Sequence, residues 1–191
     1  MTAHRARLIP VVALLASACG AGEDEPTLNH YGDEVSESIA AIEASLSSHH
    51  EQVLNETDLQ RMLDLEDEHM TGMAMPMGHM QDAQDSMEGC GEHMTMADHA
   101  GSVANFHDAR AAMTEVMADT DTEMAHHMQA MHDAADVDAA LAQEHQHQAT
   151  MDQVLGRMRM HDGALADAMQ AMADAGMSMM CPMSSHMHWH H

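Results

Sequence analysis

Apolar residues recur along most of the chain at alternating intervals of three and four positions, which places them on one face of an α-helix. Four such stripes begin near Val35, Leu59, Val103 and Val137. β-branched residues are scarce and alanines are abundant, which disfavours strands. The pattern therefore predicts an all-α protein with four helices, in which Pro76 kinks or breaks the second helix.

The second half of the chain repeats the pattern of the first half at an offset of 78 residues, without a gap. Polar residues also come into register, because His49 falls on His127 and Glu66 falls on Glu144. We interpret the repeat as a duplicated helical hairpin that forms a four-helix bundle. The alternative is two unrelated hairpins with the same biased composition.

The first residues resemble a bacterial lipoprotein signal. Arg5 and Arg7 precede an apolar run at 8–16, which is too short to span a bilayer. Small residues then lead into Cys19, as in the bacterial lipobox, which implies that Cys19 is lipidated and anchors the mature chain in a membrane. By the same resemblance, Gly20 in the next position favours the periplasmic side of the outer membrane. The alternative is an ordinary cleaved signal with a chance cysteine.

The charge balance excludes one class of partner. The formal net charge is −26, from 32 acidic and 6 basic residues, and none of the basic residues is a lysine. Because phosphate binding requires clustered cations, we expect no nucleic-acid partner. The chain is instead rich in methionine and histidine, with 25 and 19 residues. A core made largely of methionine packs loosely, so bound metal is a candidate source of additional stability.

Two Glu-x-x-His motifs lie on the predicted core faces of the second and fourth stripes. Residues three apart share a helix face, so both members of each motif are expected to face the core. A histidine of the first stripe and one of the third fall at about the same level. One layer of the bundle is therefore predicted to hold His49, Glu66, His69, His127, Glu144 and His147. The alternative is a polar core layer, or solvated histidines, without metal.

This layer resembles the ferritin-like di-metal pattern, in which two helices each give a Glu-x-x-His and two each give one glutamate. The resemblance covers residues 30–165 and implies a di-metal oxidase acting on Cu(I) or Fe(II). His49 and His127 stand where that family has glutamates. Nitrogen-rich ligation shifts the preference from iron towards copper or zinc.

Methionine and histidine also cluster outside this layer, in combinations that suit Cu(I). These segments resemble the Met/His-rich regions of bacterial periplasmic copper-resistance and copper-chaperone proteins. For methionines on the stripes, the alternative is simple core filling. The predicted copper ligands are Met73, Met75, Met77, His79 and Met80 in the methionine-rich segment 70–80, and Met179, Met180, Cys181, Met183, His186 and His188 at the C-terminus.

Two cysteines are expected at the same end of an up-down bundle. Cys90 ends the second predicted helix and Cys181 follows the fourth. An oxidising compartment permits a disulfide between them. The alternative is a pair of copper thiolates, and both interpretations stay open.

These patterns divide the chain into six segments. They are a lipoprotein signal peptide at 1–18, a lipidated flexible tether at 19–28, a first hairpin at 29–88, a Met/His/Cys linker at 89–100, a second hairpin at 101–176 and a metal-binding tail at 177–191.

Three functions are compatible with the sequence. The first is a copper-binding lipoprotein that buffers or sequesters copper outside the cytoplasm, with zinc or iron as other metals. The second is a di-metal oxidase, and the third is an acidic structural lipoprotein without a specific metal. No nucleophile elbow and no phosphate-binding loop occurs in the sequence.

Overall fold

The structure, a computed structural model, describes residues 27–91, 100–177 and 179–181. In this part of the chain four helices pack together, and the predicted all-α four-helix bundle is confirmed. The predicted signal peptide, most of the tether and most of the tail lie outside the described residues. The helices are α1 at Leu28–Leu54, α2 at Leu59–Gly91, α3 at Ala100–His132 and α4 at Val137–Asp174.

Short polar side chains start the helices of each hairpin. The Asp58 carboxylate accepts a hydrogen bond from the Arg61 N–H (2.9 Å) at the start of α2. The Asp136 carboxylate accepts from the Ala139 N–H at the same distance at the start of α4. These caps satisfy backbone donors that lack partners within the helix, and so they fix where each second helix begins.

The second helix is longer than the sequence indicated. It passes through Pro76 and continues to Gly91, so the predicted break does not occur and the helix extends into the segment predicted as a linker. Pro76 is buried, and its helix neighbours Met73 and Met80 on the same face are also buried. Apolar packing on both sides of the proline offsets the hydrogen bond that its missing N–H removes.

The core consists of two apolar clusters that are rich in methionine. The larger cluster includes Leu46, Met73, Met124 and Met151, and extends from there to the end of the bundle that holds Cys90. The smaller cluster lies at the other end, where each hairpin turns, and contains Val53, Met62, Leu65, Met131 and Ala140. The polar layer predicted from the sequence lies between these two clusters, and each of the four helices contributes residues to it.

A disulfide and a short backbone contact close the end of the bundle at the larger cluster. Cys90 and Cys181 are bonded, with an S–S distance of 2.02 Å. The Leu28 N–H donates to the Met179 carbonyl at 3.0 Å. Of the two interpretations of the cysteines, the structure contains the disulfide. Cys181 therefore has no thiolate to offer a metal.

Within the described ranges, no helix combines the length and the apolar character that crossing a membrane requires.

Candidate metal centre

The six polar residues predicted to share a layer lie together in the interior of the bundle. One histidine comes from α1 and one from α3, and each of α2 and α4 supplies a glutamate and a histidine three residues later. None of the six is more than 5% exposed. The helix register that produces the apolar stripes also directs these side chains inward.

Four of the six side chains converge on one point. His49 Nε2 lies 2.9 Å from Glu66 Oε1 and 3.5 Å from Glu144 Oε2. His127 Nε2 lies 3.1 Å from Glu66 Oε2 and 3.4 Å from Glu144 Oε2. All four residues offer ligand atoms within 4.8 Å of one another. A tetrahedral metal with nitrogen and oxygen ligands at about 2.0–2.1 Å spaces those ligands about 3.3 Å apart. The four residues, called the tetrad below, therefore have the spacing of a group that could hold a metal ion.

The contacts within the tetrad are short, but they lie off the direction that a hydrogen bond requires. His49 Nε2, His127 Nε2, both Glu66 oxygens and Glu144 Oε2 are buried without a hydrogen-bond partner in the described part of the chain. A buried polar atom left without a partner costs about 1–3 kcal/mol. A metal ion at the centre would give each of the four residues a ligand bond.

The charges of the tetrad balance. Burial disfavours protonation of the two histidines, but their contacts with Glu144 and Glu66 outweigh it and raise the pKa of His49 to about 9 and that of His127 to about 8. Burial likewise disfavours the carboxylates, but contacts with His127 and His49 outweigh it, lowering the pKa of Glu66 to about 2 and holding that of Glu144 far below its usual value. At neutral pH the layer therefore holds two imidazolium and two carboxylate groups.

The remaining two histidines flank the tetrad as neutral rings. His69 stacks on His49 with ring centroids 4.1 Å apart, and His147 stacks on His127 at 3.8 Å. Burial lowers the pKa of His69 to about 4 and that of His147 to about 3, and the nearby charged histidine of each pair adds to the effect. His69 Nδ1 lies 3.4 Å from the Ser45 hydroxyl. Its Nε2 and both nitrogens of His147 have no hydrogen-bond partner among the described residues.

A seventh polar residue was not predicted from the sequence. His50 Nδ1 lies 2.7 Å from Glu144 Oε1, on the side of the carboxylate that faces away from the tetrad. The 78-residue offset places Met128 at the equivalent position of the other hairpin, so the repeat gave no reason to select His50. His50 could have been selected from its position in the sequence, because it follows His49 directly at the edge of the buried stripe of α1.

The structure distributes the predicted copper ligands of α2 over two faces of the helix. Met73 and Met80 are buried in the larger core cluster, and Met77 packs partly against it. Met75 is 68% exposed, and His79 is also exposed. The buried methionines thus fill the core, while Met75 and His79 face solvent one helical turn apart.

The predicted ligands near the C-terminus are described only in part. Met179 packs against the larger core cluster, Met180 is 49% exposed, and Cys181 belongs to the disulfide. The other predicted site residues lie outside the described residues, and these are Cys19, Met183, His186 and His188.

The chain matches no known protein family, no curated protein and no solved structure. The predicted resemblances to ferritin-like and copper-resistance proteins therefore stay predictions. Function is inferred below from the chemistry of the site, since a four-helix bundle by itself does not specify one.

Proposed function

We propose that this protein is an extracytoplasmic, lipid-anchored metal-binding protein that holds a transition-metal dication, copper foremost, in the core of its bundle. The observation that carries the proposal is the tetrad of His49, Glu66, His127 and Glu144, whose buried ligand atoms lie within 4.8 Å of one another. The role that follows is buffering or sequestration of the metal. The anchored location rests on the sequence around Cys19.

The charge of the layer supports a dication. A dication that binds the tetrad replaces the two imidazolium protons, so the buried layer stays electrically neutral. A monocation such as Cu(I) would replace the same two protons and leave one negative charge buried, which is costly in an apolar core.

The ligand types support copper or zinc. Imidazole suits copper, zinc and iron. Among divalent first-row metals, a given site of nitrogen and oxygen ligands binds copper most tightly. Soft thioether ligands suit Cu(I) better. Exposed Met75 and His79 are therefore the described residues that offer a second, weaker kind of copper binding at the surface.

The enclosure of the layer supports storage over turnover. The two apolar clusters close the tetrad on both sides along the bundle axis. The groove lined by Ala109, His161 and Ala168 lies elsewhere, between other parts of α3 and α4.

The test is competition titration of Cu(II) and Zn(II) against chromophoric chelators. We expect the protein to bind one ion tightly, and Glu66→Gln to weaken that binding at least 100-fold by removing a ligand charge while keeping the side-chain shape. The matched control is Glu68→Gln on the same helix, because the Glu68 side chain is 61% exposed. Equal affinity in the Glu66 and Glu68 variants would overturn the proposal.

A second function, a di-metal oxidase, is favoured by one observation. His69 Nε2 and both nitrogens of His147 lie buried beside the tetrad without a hydrogen-bond partner among the described residues, so the layer offers ligands for a second ion. This function requires two tightly bound ions for each chain, and consumption of dioxygen when Fe(II) or Cu(I) is added. Glu144→Gln would then abolish dioxygen consumption. If the protein binds a single metal ion for each chain and consumes no dioxygen, storage remains the proposed function.

A further inference from the structure

We infer that His50 and His145 form an outer ion-capture site at the seam between α1 and α4, through which a dication passes to the buried tetrad. The inference rests on the proposed metal-binding function and adds a route of entry to it. Its basis is the hydrogen bonding, exposure and asymmetry of these two histidines.

Hydrogen bonds fix which nitrogen of each ring is available. His145 Nδ1 lies 2.7 Å from the Leu141 carbonyl oxygen, which can only accept, so Nδ1 donates. His50 Nδ1 lies 2.7 Å from Glu144 Oε1, and the ionised carboxylate can only accept, so this Nδ1 also donates. In the neutral ring the lone pair is then on Nε2, which is the state that binds a metal.

The two rings lie between solvent and the tetrad. His145 is exposed, His50 is 24% exposed, and the ring centroids lie 6.0 Å apart with the planes nearly perpendicular. Glu144 is buried, with Oε1 on His50 and Oε2 facing the tetrad. An ion bound to Nε2 of His50 would therefore lie on the outer side of this ring, and the inner side of the same ring contacts the carboxylate that is one of the ion's final ligands.

The opposite seam of the bundle does not offer this pair. The repeat places Met128 on α3 where α1 has His50, and Asp67 on α2 where α4 has His145. Glu66 accordingly has both oxygens directed at the tetrad histidines. The asymmetry makes the seam between α1 and α4 the side for capture, and the net charge of −26 draws cations to the whole surface.

The test is the rate of Co²⁺ uptake and release in the full protein, followed by stopped-flow absorbance of the tetrahedral Co(II) bands. The side chain of His145 contacts the Leu141 carbonyl and the His50 ring, so we expect His145→Ala to slow uptake and release by the same factor, at least fivefold, at an unchanged dissociation constant. His50→Ala should slow both steps and also weaken binding by about 10–100-fold, because Glu144 loses its orienting partner. The matched controls are Asp67→Ala and Met128→Ala, which should keep the wild-type rates.

The outcomes separate the two proposals. Wild-type protein that develops no tetrahedral Co(II) spectrum would overturn both the metal function and the entry route. Normal binding with wild-type rates in His145→Ala would overturn the entry route alone. Equal slowing in the Asp67 and His145 variants would also overturn it, because the slowing would then not depend on the histidine pair at the seam between α1 and α4.

Discussion

Single residues carry the chemistry of this protein, and the sequence revealed most of them. The Glu-x-x-His spacing identified Glu66 and Glu144, and the repeat added His49 and His127. Spacing could not show which histidines converge, because a helix face is wider than a metal site. In the structure the tetrad takes its histidines from α1 and α3. The histidines of the two motifs stack on these rings instead of joining the four convergent ligands.

His50 shows a limit of reasoning from a repeat. A repeat selects only positions that match in both halves, and Met128 stands at the position equivalent to His50. The methionines of α2 show a second limit, because their closeness in the sequence suggested one cluster of copper ligands. Helix geometry separates exposed Met75 from buried Met73, because residues two apart lie on opposite faces.

The buried histidines predict how the stability of the metal-free protein depends on acid. The pKa values of His69 and His147 are lowered to about 4 and about 3, so their contribution is lost as pH falls from about 6.5 through these values. The pKa of Glu66 is lowered to about 2, so its contribution is lost as pH falls from about 4.5 towards 2. We expect the melting temperature in chelator to fall steadily below pH 6.5.

Above pH 6.5, the stability of the metal-free protein is expected to fall as the pH rises. The pKa of His49 is raised to about 9 and that of His127 to about 8, so their contributions are complete below pH 6.5 and are lost as pH rises through these values. The metal-free protein should therefore be most stable near pH 6.5, which thermal denaturation followed by circular dichroism at a series of pH values would check. A stability that stays constant from pH 6.5 to 9.5 would contradict charged His49 and His127.

At the scale of the helices, periodicity predicted the number of elements and their buried faces well. Pro76 was predicted to kink or break the second helix, and the helix does not break there because local propensity is only one contribution to a helix. Tertiary packing of Met73 and Met80 holds the turns on both sides of the proline. A sequence pattern shows the presence of proline but not the amount of apolar surface that packs around it.

The start of α4 offers a test of local helix stabilisation. The Asp136 carboxylate caps the helix by accepting from the Ala139 N–H. We expect Asp136→Ala to lower the free energy of unfolding by about 1 kcal/mol, as measured by urea denaturation. Asp138→Ala, an exposed acidic residue in the first turn that caps no N–H, is the control. Equal effects of the two variants would show that charge at the helix terminus, not the cap, is responsible.

At the scale of the whole molecule, the polar layer and the disulfide lie far apart. The polar layer divides the core into a large and a small apolar cluster, whereas Cys90–Cys181 closes the far end of the large one. Along α2, Glu66 and Cys90 are separated by ~36 Å at about 1.5 Å per residue. The sequence placed the polar layer on the correct helices and the two cysteines at the same end of the bundle, but the division of the core between them depends on packing along all four helices.

This separation gives a prediction about the disulfide. The bonded cysteines are 91 residues apart, so the crosslink restricts a large part of the unfolded chain. We expect its removal, by reduction or by Cys90→Ser with Cys181→Ser, to lower the free energy of unfolding by about 4–5 kcal/mol in urea. The affinity of the tetrad for Zn(II) should stay within about twofold of the wild-type value, because distant sites act independently.

Bound metal should also stabilise the variant that lacks the disulfide. An ion that binds only the folded state adds about 2.7 kcal/mol at a free concentration 100 times its dissociation constant. Zn(II) should therefore restore part of the stability lost with the crosslink, by the same amount that it adds to the wild-type protein. Glu66→Gln in the disulfide-free background is the control and should show only a small part of this gain, because its affinity for the ion is at least 100-fold weaker. A gain from Zn(II) only while the disulfide is intact would mean that the far end of the bundle holds the tetrad in place, contrary to the independence that the two separated features imply.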